Sequence, residues 1–288
     1  MSRVSRWALI AGALGFGVLA YIYLTLPDVR PLATGNPPTT AFIELRAAEA
    51  RAAGKAPRRN QRWIAYERIS PHLKRAVLVA EDSAFWRHGG VDVEQLKESM
   101  EANFEQGRFA RGGSTITQQL AKNLYLSPSR NPVRKLRELI IARRLEAALS
   151  KRRILEIYLN IVEWGDSIYG AEAASRVYFH KPAAGLSAPE AALLAGALVN
   201  ARALMPARPN ARLVRRQRII LARMGSVTPP APVAPTVPAA LPVALDVPNE
   251  PTAEEPSGAE PPARPASPPV TRPEPPSVAD PTEDVPRR

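Results

Sequence analysis

The chain has 288 residues, of which 39 are Lys or Arg and 27 are Asp or Glu, for a net charge of +12 at neutral pH. It contains no cysteine, which excludes disulfide frameworks, thiolate metal sites and cysteine nucleophiles. Three histidines leave little room for a histidine-rich metal cluster. The average composition hides a sharp change along the chain, because 19 of the 31 prolines lie after residue 225.

The N-terminal segment is apolar enough to serve as a membrane anchor. Residues 7–26 carry no charged side chain, and a helix of this length spans roughly 30 Å, the thickness of the hydrocarbon core of a bilayer. Arg3 and Arg6 precede it, which predicts that residues 1–6 stay in the cytoplasm and that the rest of the chain lies outside. A cleaved signal peptide is the alternative, although no small-residue cleavage site follows Leu26.

A stiff linker, residues 27–40, is predicted to join this anchor to a soluble domain of residues 41–225. Residues 1–225 hold an excess of 17 positive charges, because the remaining residues contain nine acidic and four basic side chains. This charge favours acidic partners such as anionic lipid head groups or phosphates. A domain tethered outside the cytoplasm makes nucleic acid the weakest candidate, and we expect no nucleic-acid partner.

The domain is predicted to be mainly α-helical. Apolar side chains recur at helical spacing, capping residues precede several of these stretches, and no stretch alternates steadily with period two. We place helices at 71–81, 132–149, 151–160, 187–199 and 211–224. At most a small hairpin is expected, near 108–116.

The first block with chemical potential is EDSAFWRHGGVD, residues 81–92. If the preceding helix continues into it, Glu81, Phe85 and His88 share one face. A carboxylate beside apolar side chains is desolvated, which raises its pKa and makes it a better general base. The alternative is a helix C-terminus with an exposed acidic pair, Glu81 and Asp82, and with His88 placed favourably against the helix dipole.

A glycine-rich stretch follows, GGSTITQQLAKN at residues 112–123. Glycines let the backbone approach a ligand, and the hydroxyls, the amides and Lys122 offer donors for a pyrophosphate or an oxyanion. The stretch lacks the P-loop signature of nucleotide-binding proteins. A glycine turn with a Ser or Thr helix cap is an equally good interpretation of these residues taken alone.

The third block places Arg134 and Lys135 one helical turn before Glu138. These side chains form either a surface ion-pair ladder or a buried carboxylate that holds cations in place for a leaving anion. The fourth block, residues 151–174, contains KRRILEIYLN and IYGAEAA. We interpret it mainly as scaffold, because its apolar side chains are spaced for packing.

The C-terminal stretch, residues 226–288, is predicted to be a disordered tail. It is rich in proline and contains no aromatic residue, so it cannot bury enough apolar surface to offset the entropy of ordering. Its proline content favours the polyproline II conformation. A docking segment for a partner or for the cell wall is the functional alternative.

Together, the four blocks resemble the membrane-bound peptidoglycan glycosyltransferases, the family that polymerises lipid II. The similarity extends over residues 41–225, with the blocks in the family's order, and the N-terminal anchor agrees with it. No S-x-x-K or K-T-G motif occurs, so the sequence lacks the penicillin-binding transpeptidase module of two-domain relatives. The chain is therefore most similar to the monofunctional biosynthetic transglycosylases, although its proline-rich tail has no assigned counterpart.

The resemblance implies roles for individual residues. Glu81 matches the general base of the family, and Glu138 matches its second essential carboxylate. The positions that correspond to substrate-binding residues are Asp82, Phe85, His88, Ser114, Thr115, Gln118, Gln119, Lys122, Asn123, Arg130, Arg134 and Lys135. The basic members of this set correspond to positions that face the pyrophosphate of the substrate.

The resemblance also implies a lysozyme-like helical fold with a small membrane-associated lobe at about 93–130, where Phe104 and Phe109 would touch lipid. It implies an inverting transfer from undecaprenyl pyrophosphate into β-1,4-linked glycan strands, with Mg²⁺ or Mn²⁺ as an optional cation at the pyrophosphate. The expected partners are lipid II, the growing glycan chain, membrane lipids and cell-wall or cell-division proteins. The expected location is the inner membrane, with a single pass and a periplasmic catalytic domain.

Two other functions are compatible with these residues. A lysozyme-like glycosidase also uses two carboxylates that flank a glycosidic bond, but it needs a general acid and a water molecule. A non-catalytic scaffold of wall assembly would make use of the proline-rich tail. A pyrophosphate leaving group needs no strong acid, so a cationic cluster beside the base favours the transferase.

Overall fold

The N-terminal helix begins at the third residue. The structure, a computed structural model, describes residues 3–94, 96–97, 113–129 and 131–226. Helix α1 comprises Arg3–Leu24, the segment in which the sequence predicts an anchor. Within these described ranges, no helix has the combined length and apolarity that crossing a bilayer requires. The anchor stays a prediction.

Two other predictions fall outside the described part of the chain. The expected tail at 226–288 lies outside it except for Ser226, and so do Phe104 and Phe109 of the expected lobe. Both the tail and the lobe therefore stay predictions.

Helices make up most of the described domain. After α1, they are α2 (Ala41–Ala52), α3 (Pro71–Glu81), α4 (Ile116–Tyr125), α5 (Pro132–Ala148), α6 (Lys151–Ile161), α7 (Ala171–Phe179), α8 (Ala188–Ala197) and α9 (Ala211–Arg223). Short 3₁₀ helices lie at Arg30–Ala33, Tyr66–Arg68, Ala183–Gly185, Leu198–Asn200 and Met224–Ser226. The mainly α fold and the five predicted helices are confirmed, with every end within two residues of its expected place.

Side-chain caps explain why these helices begin where they do. The side chain of Asn131 accepts a hydrogen bond of 2.8 Å from the N–H of Val133 at the start of α5. At the start of α8, Ser187 and Glu190 form the capping box that their spacing predicts. Each cap satisfies N–H groups that have no partner inside the helix, which makes these positions favourable starting points.

One continuous hydrophobic core joins two groups of helices. Helix α8 packs against α3 and α9, and α4 packs against α2, α5 and α6. The largest fully buried side chains include Trp164, Tyr158, Tyr169 and Phe85. Because α3 and α4 both contribute apolar side chains to this core, burial of those side chains fixes the two helices relative to each other.

The described β-structure is a small sheet that the sequence analysis did not predict. Strand β1 is Asn60–Gln61, β2 is Glu163–Gly165 and β3 is Ile168–Tyr169. Strand β3 lies between the other two, parallel to β1 and antiparallel to β2. Near 108–116, where at most a small hairpin is expected, residues 113–115 form no strand, Ile116 begins α4, and residues 108–112 lie outside the described part. Strands of two or three residues are too short to show period two in a sequence.

Gly170 joins this sheet to α7 in a backbone conformation that favours glycine. Its φ is +82°, and a Cβ at this position would lie 2.5 Å from the carbonyl oxygen of Asn160. The side chain of Asn160 in turn accepts a 2.9 Å hydrogen bond from the N–H of Ile64 and donates one of 2.9 Å to its carbonyl oxygen. These contacts hold the segment before α3 onto α6, so this part of the fourth block acts as scaffold.

Helix α3 ends at Glu81 and does not continue into the following block. Asp82 is extended, with φ of −165°, and its buried carboxylate binds His88 and the N–H of Ile116. Both partners lie outside α3, so the contacts of Asp82 with them direct the chain away from the helix after Glu81. The expected common face of Glu81, Phe85 and His88 is therefore wrong, and Phe85 turns into the core.

Candidate active site

Glu81, the last residue of α3, is held by a chain of two hydrogen bonds. Its Oε2 accepts a bond of 2.9 Å from Nε2 of Gln119, and Oε1 of Gln119 accepts one of 2.9 Å from the hydroxyl of Tyr158. Burial raises the pKa of Glu81 above its ordinary value, while the hydrogen bond from Gln119 acts in the opposite direction. The carboxylate is thus a desolvated base with a fixed orientation.

Lys122 lies on α4, one turn after Gln119. Burial lowers the pKa of Lys122, and the negative charges of Glu138 and Glu81 act against this lowering. Its ammonium group also lies 5.7 Å from the ring centroid of Phe42 on α2. The charges of both carboxylates that the sequence analysis singled out therefore act on Lys122.

Glu138 is a buried carboxylate, and its side chain is only 4% exposed. It accepts a hydrogen bond of 2.6 Å from Nη1 of Arg134 and a second bond from Nζ of Lys135. Lys135 also contacts Oγ of Ser114 at 3.3 Å and Oε1 of Gln118 at 3.2 Å. Of the two interpretations of this block, the structure has the buried carboxylate, and Lys135 ties the glycine-rich stretch to α5.

Asp82 fastens the start of α4 to the end of α3. Its carboxylate accepts a hydrogen bond of 2.9 Å from the N–H of Ile116 and lies 2.9 Å from Nε2 of His88. Thr115 caps α4, and its hydroxyl donates a hydrogen bond of 2.6 Å to the carbonyl oxygen of Gly90. Asp82 and Thr115 are almost fully buried, so they are placed to shape the site through their neighbours.

The donors around the site fit a diphosphate better than a metal ion. Lys122, Arg134 and Lys135 offer positive charge, whereas both predicted catalytic carboxylates already accept hydrogen bonds. Asp82, His88 and Asp92 also place one possible ligand atom each within 4.8 Å of one another. Because the carboxylate of Asp82 already accepts the N–H of Ile116 and lies against His88, these residues fit a structural role better than a metal site.

The remaining predicted site residues do not gather around Glu81 in the same way. Phe85 is fully buried and packs edge-on against the ring of Trp86, with centroids 5.1 Å apart. Asn123 is mostly buried, and its amide donates a hydrogen bond of 2.8 Å to the carbonyl oxygen of Gln119 within α4. Arg130 lies outside the described residues.

Comparison with known proteins identifies the family. The family model described as Transglycosylase matches residues 49–225, more than half of the chain. The chain belongs to this family. A relative from Dechloromonas aromatica is 44% identical over 232 residues, which cover 80% of this transglycosylase and 100% of the relative. The motif-based resemblance is therefore confirmed.

Two further relatives agree with this assignment. One from Laribacter hongkongensis is 47% identical over 195 residues, which cover 68% of this chain and 86% of the relative. One from Aromatoleum aromaticum is 52% identical over 167 residues, which cover 58% of this chain and 73% of the relative. All three relatives are named biosynthetic peptidoglycan transglycosylase.

Two side chains of this transglycosylase act on Glu81 although the sequence analysis did not assign them to the site. Burial raises the pKa of Tyr158 well above its ordinary value, and the charges of Glu81 and Asp82 add to this effect, so the phenol stays a donor. The charge of Arg216 on α9 lowers the pKa of Glu81, although less than burial raises it. Tyr158 stands in a recognisable motif, whereas no sequence signal links Arg216 to α3.

Proposed function

We propose that this chain is a peptidoglycan transglycosylase of cell-wall biosynthesis that polymerises lipid II into β-1,4-linked strands and releases undecaprenyl pyrophosphate. The observation that carries the proposal is that neighbouring residues of α4 contact both halves of the site, because Gln119 binds Glu81 and Gln118 contacts Lys135, which binds Glu138. A desolvated base and a cationic site for a leaving anion thus lie side by side. Transfer of a sugar from a diphosphate requires both.

Glu81 is proposed as the general base. Its carboxylate takes the proton of the acceptor's 4-hydroxyl while that oxygen forms a bond to the anomeric carbon of the donor. The bond between the anomeric carbon and the pyrophosphate oxygen breaks, and its electron pair leaves with the pyrophosphate. Attack opposite the leaving group inverts the anomeric carbon, and the raised pKa of Glu81 supports its proton-accepting role.

Lys122 and Arg134 are proposed to receive the charge that grows on the leaving pyrophosphate. Fixed cations in a partly desolvated site stabilise such charge strongly in the transition state. Glu138 is proposed to hold Arg134 and Lys135 in place, which its two hydrogen bonds support. Arg130 belongs to this cationic set by resemblance alone.

A glycosidase mechanism is less well supported by the same contacts. An inverting or retaining glycosidase needs one carboxylic acid that protonates the leaving oxygen. Glu138 accepts hydrogen bonds from two cationic groups, so it is not placed as a proton donor. The geometry therefore favours a leaving group that needs positive charge rather than a proton.

The membrane context is also a proposal. The enzyme is proposed to be anchored in the inner membrane through residues 7–26, with the catalytic domain in the periplasm, close to lipid II and to membrane lipids. The uncharged sequence of this segment and the helix over Arg3–Leu24 support an anchor. Cell-wall or cell-division proteins are the proposed protein partners.

The direct test is a polymerisation assay with purified full-length protein and labelled lipid II. We expect labelled glycan strands to form. In a parallel reaction with finished sacculi, we expect no release of soluble muropeptides. Muropeptide release without polymer formation would establish the glycosidase instead.

Lys122→Ala is expected to lower the turnover of lipid II by about 10²-fold, because it removes a cation that faces the leaving group. The melting temperature should change little, since the lost ammonium group is partly desolvated and its burial is unfavourable. Initial rates and thermal melts of the purified variant measure both quantities.

Lys74→Ala is the matched control for this variant. Burial also lowers the pKa of Lys74, and its ammonium group donates a hydrogen bond of 3.0 Å to the carbonyl oxygen of Tyr66. This control should lose melting temperature and keep its turnover. The reverse pattern, with unchanged turnover and a lower melting temperature in Lys122→Ala, would make Lys122 a structural residue.

Gln119→Ala is expected to move the acid limb of the pH profile of kcat/KM to higher pH. Activity rises with pH as Glu81 loses its proton, and the hydrogen bond from Gln119 lowers the pKa of that carboxyl. Loss of the bond therefore raises the pKa further. The adjacent variant Gln118→Ala, whose side chain contacts Lys135 instead, should leave the limb in place even if the rate falls. An unmoved limb in Gln119→Ala contradicts the role of Glu81 as base.

A further inference from the structure

A pocket outside the candidate active site lies at the C-terminal end of α2, away from Phe42 in the first turn of that helix. Its volume is about 530 Å³, and the C-terminal turn of α2, the segment after it and the turn between β2 and β3 form its walls. The side chains that define this basic pocket are Arg46, Lys55, Arg58, Asp166, Ser167 and Arg202. None of them belongs to the candidate active site.

The basic pocket has more positive charge than its own acidic groups neutralise. Arg46 is satisfied, because it pairs with Glu163 at 3.0 Å and with Glu49 at 2.8 Å. Arg202 approaches Asp166 only to 3.6 Å, and both side chains are exposed. Lys55 and Arg58 form no ion pair with any residue that the structure describes. The unpaired cations are therefore available to an anion.

The wall of the pocket is held in place by the fold. Ser167 has a left-handed backbone, with φ of +61°, and its carbonyl oxygen accepts a hydrogen bond of 2.8 Å from the N–H of Asn60. The ion pair between Arg46 and Glu163 fastens α2 to β2. The sheet and α2 therefore build the pocket together, without help from a ligand.

The distance to the active site suits a polymeric ligand. Phe42 in the first turn of α2 lies beside Lys122, whereas the last turn of the same helix lines the basic pocket. Eleven residues of helix separate Phe42 from Ala53, which corresponds to roughly 16 Å. A ligand that occupies both the active site and the pocket must therefore extend over about this distance.

We propose that the basic pocket binds the peptide stem of the glycan through its carboxylates. This inference rests on the proposed function, since that function supplies a glycan with peptide stems. Peptide carboxylates carry the opposite charge to Lys55 and Arg58. An arginine can also bind a carboxylate through two parallel hydrogen bonds. The exposed carboxylate of Asp166 suits an amine of the same peptide, whereas it would repel a compact polyanion such as pyrophosphate.

The test uses the full-length protein and a soluble disaccharide-pentapeptide, with binding measured by calorimetry. Lys55→Gln with Arg58→Gln should weaken binding at least about tenfold. The matched double variant, Arg51→Gln with Arg62→Gln, removes the same charge from exposed positions outside the pocket and should bind like the parent protein. Equal binding by both double variants overturns the proposal.

Two further arms identify the chemistry of the ligand. The same disaccharide-pentapeptide with amidated carboxylates should lose the effect of the Lys55 and Arg58 substitutions. Inorganic phosphate should compete poorly, and competition as strong as that of the peptide would show a general anion site instead.

Failure of this inference is distinguishable from failure of the proposed function. Binding of the soluble probe can be measured without turnover. A single sugar transfer from lipid II, in turn, does not require an intact basic pocket. Polymer formation together with unchanged probe binding in the Lys55 and Arg58 double variant rejects the pocket alone. Absence of polymer with labelled lipid II rejects the proposed function.

Discussion

Glu81→Gln is expected to reduce lipid II polymerisation by on the order of 10²-fold or more, because the amide cannot accept the proton of the attacking hydroxyl. The fold should remain intact, since the substitution keeps the volume of the side chain. Initial rates with labelled lipid II measure the loss. Glu67→Gln, which removes a carboxylate that is 60% exposed, is the control and should keep the parent rate. Near-parent turnover in Glu81→Gln would rule out its assignment as the base.

The same variant has a second expected result, which concerns stability. Burial raises the pKa of Glu81 in the folded protein, so between the unfolded and folded pKa values the folded state binds more protons than the unfolded state. The stability of the parent protein therefore falls as pH rises through that window. Glu81→Gln removes this loss, so it should melt higher than the parent at neutral pH and gain nothing at acid pH. A catalytic residue that is unfavourable for folding behaves in this way.

Glu138→Gln is expected to lower both turnover and stability. The substitution leaves the positive charges of Arg134, Lys135 and Lys122 without the carboxylate that opposes them. We expect a loss of roughly 1–3 kcal/mol in the free energy of unfolding, less than for a fully buried pair because Lys135 is 42% exposed. Lys135 should also release Ser114 and Gln118, which lowers the rate. Denaturant unfolding and initial rates measure the two effects.

Glu146→Gln provides the matched control for this variant. Glu146 lies on the same helix, is 11% exposed, and accepts hydrogen bonds from Lys151 at 2.7 Å and from Thr117 at 2.6 Å. Its loss should destabilise the protein by a similar amount and leave most of the rate. If both variants lose stability and rate in the same proportion, the effect of Glu138 on catalysis is only an effect on folding.

The parts of the fold that the sequence predicts well are those whose signals are local. The cap at Asn131 and the capping box of Ser187 and Glu190 fix helix starts through residues two or three positions apart. The approach of Arg134 and Lys135 to Glu138 follows from helical spacing in the same way. For this reason, the helices and one half of the candidate site can be predicted from the amino-acid sequence.

The parts that the sequence does not predict depend on contacts between distant segments. Asp82 ends α3 because Ile116 and His88 bind its carboxylate, and no local pattern announces those partners. The small sheet pairs Asn60–Gln61 with residues more than a hundred positions away. The hydrogen bonds that orient Glu81 likewise come from α4 and α6. Contacts between distant segments determine each of these features, so the local spacing of residue types does not predict them.

The fixed amide of Gln119 has a consequence for the two oxygens of Glu81. The hydroxyl of Tyr158 donates a hydrogen bond to the amide oxygen of Gln119, so the NH₂ group of Gln119 must face Oε2 of Glu81. An oxygen that already accepts a hydrogen bond is the poorer place for a new proton. The proton of the sugar alcohol should therefore bind to Oε1. Tyr158, which is linked to Glu81 through two hydrogen bonds, thus determines which oxygen of the carboxylate acts as the base.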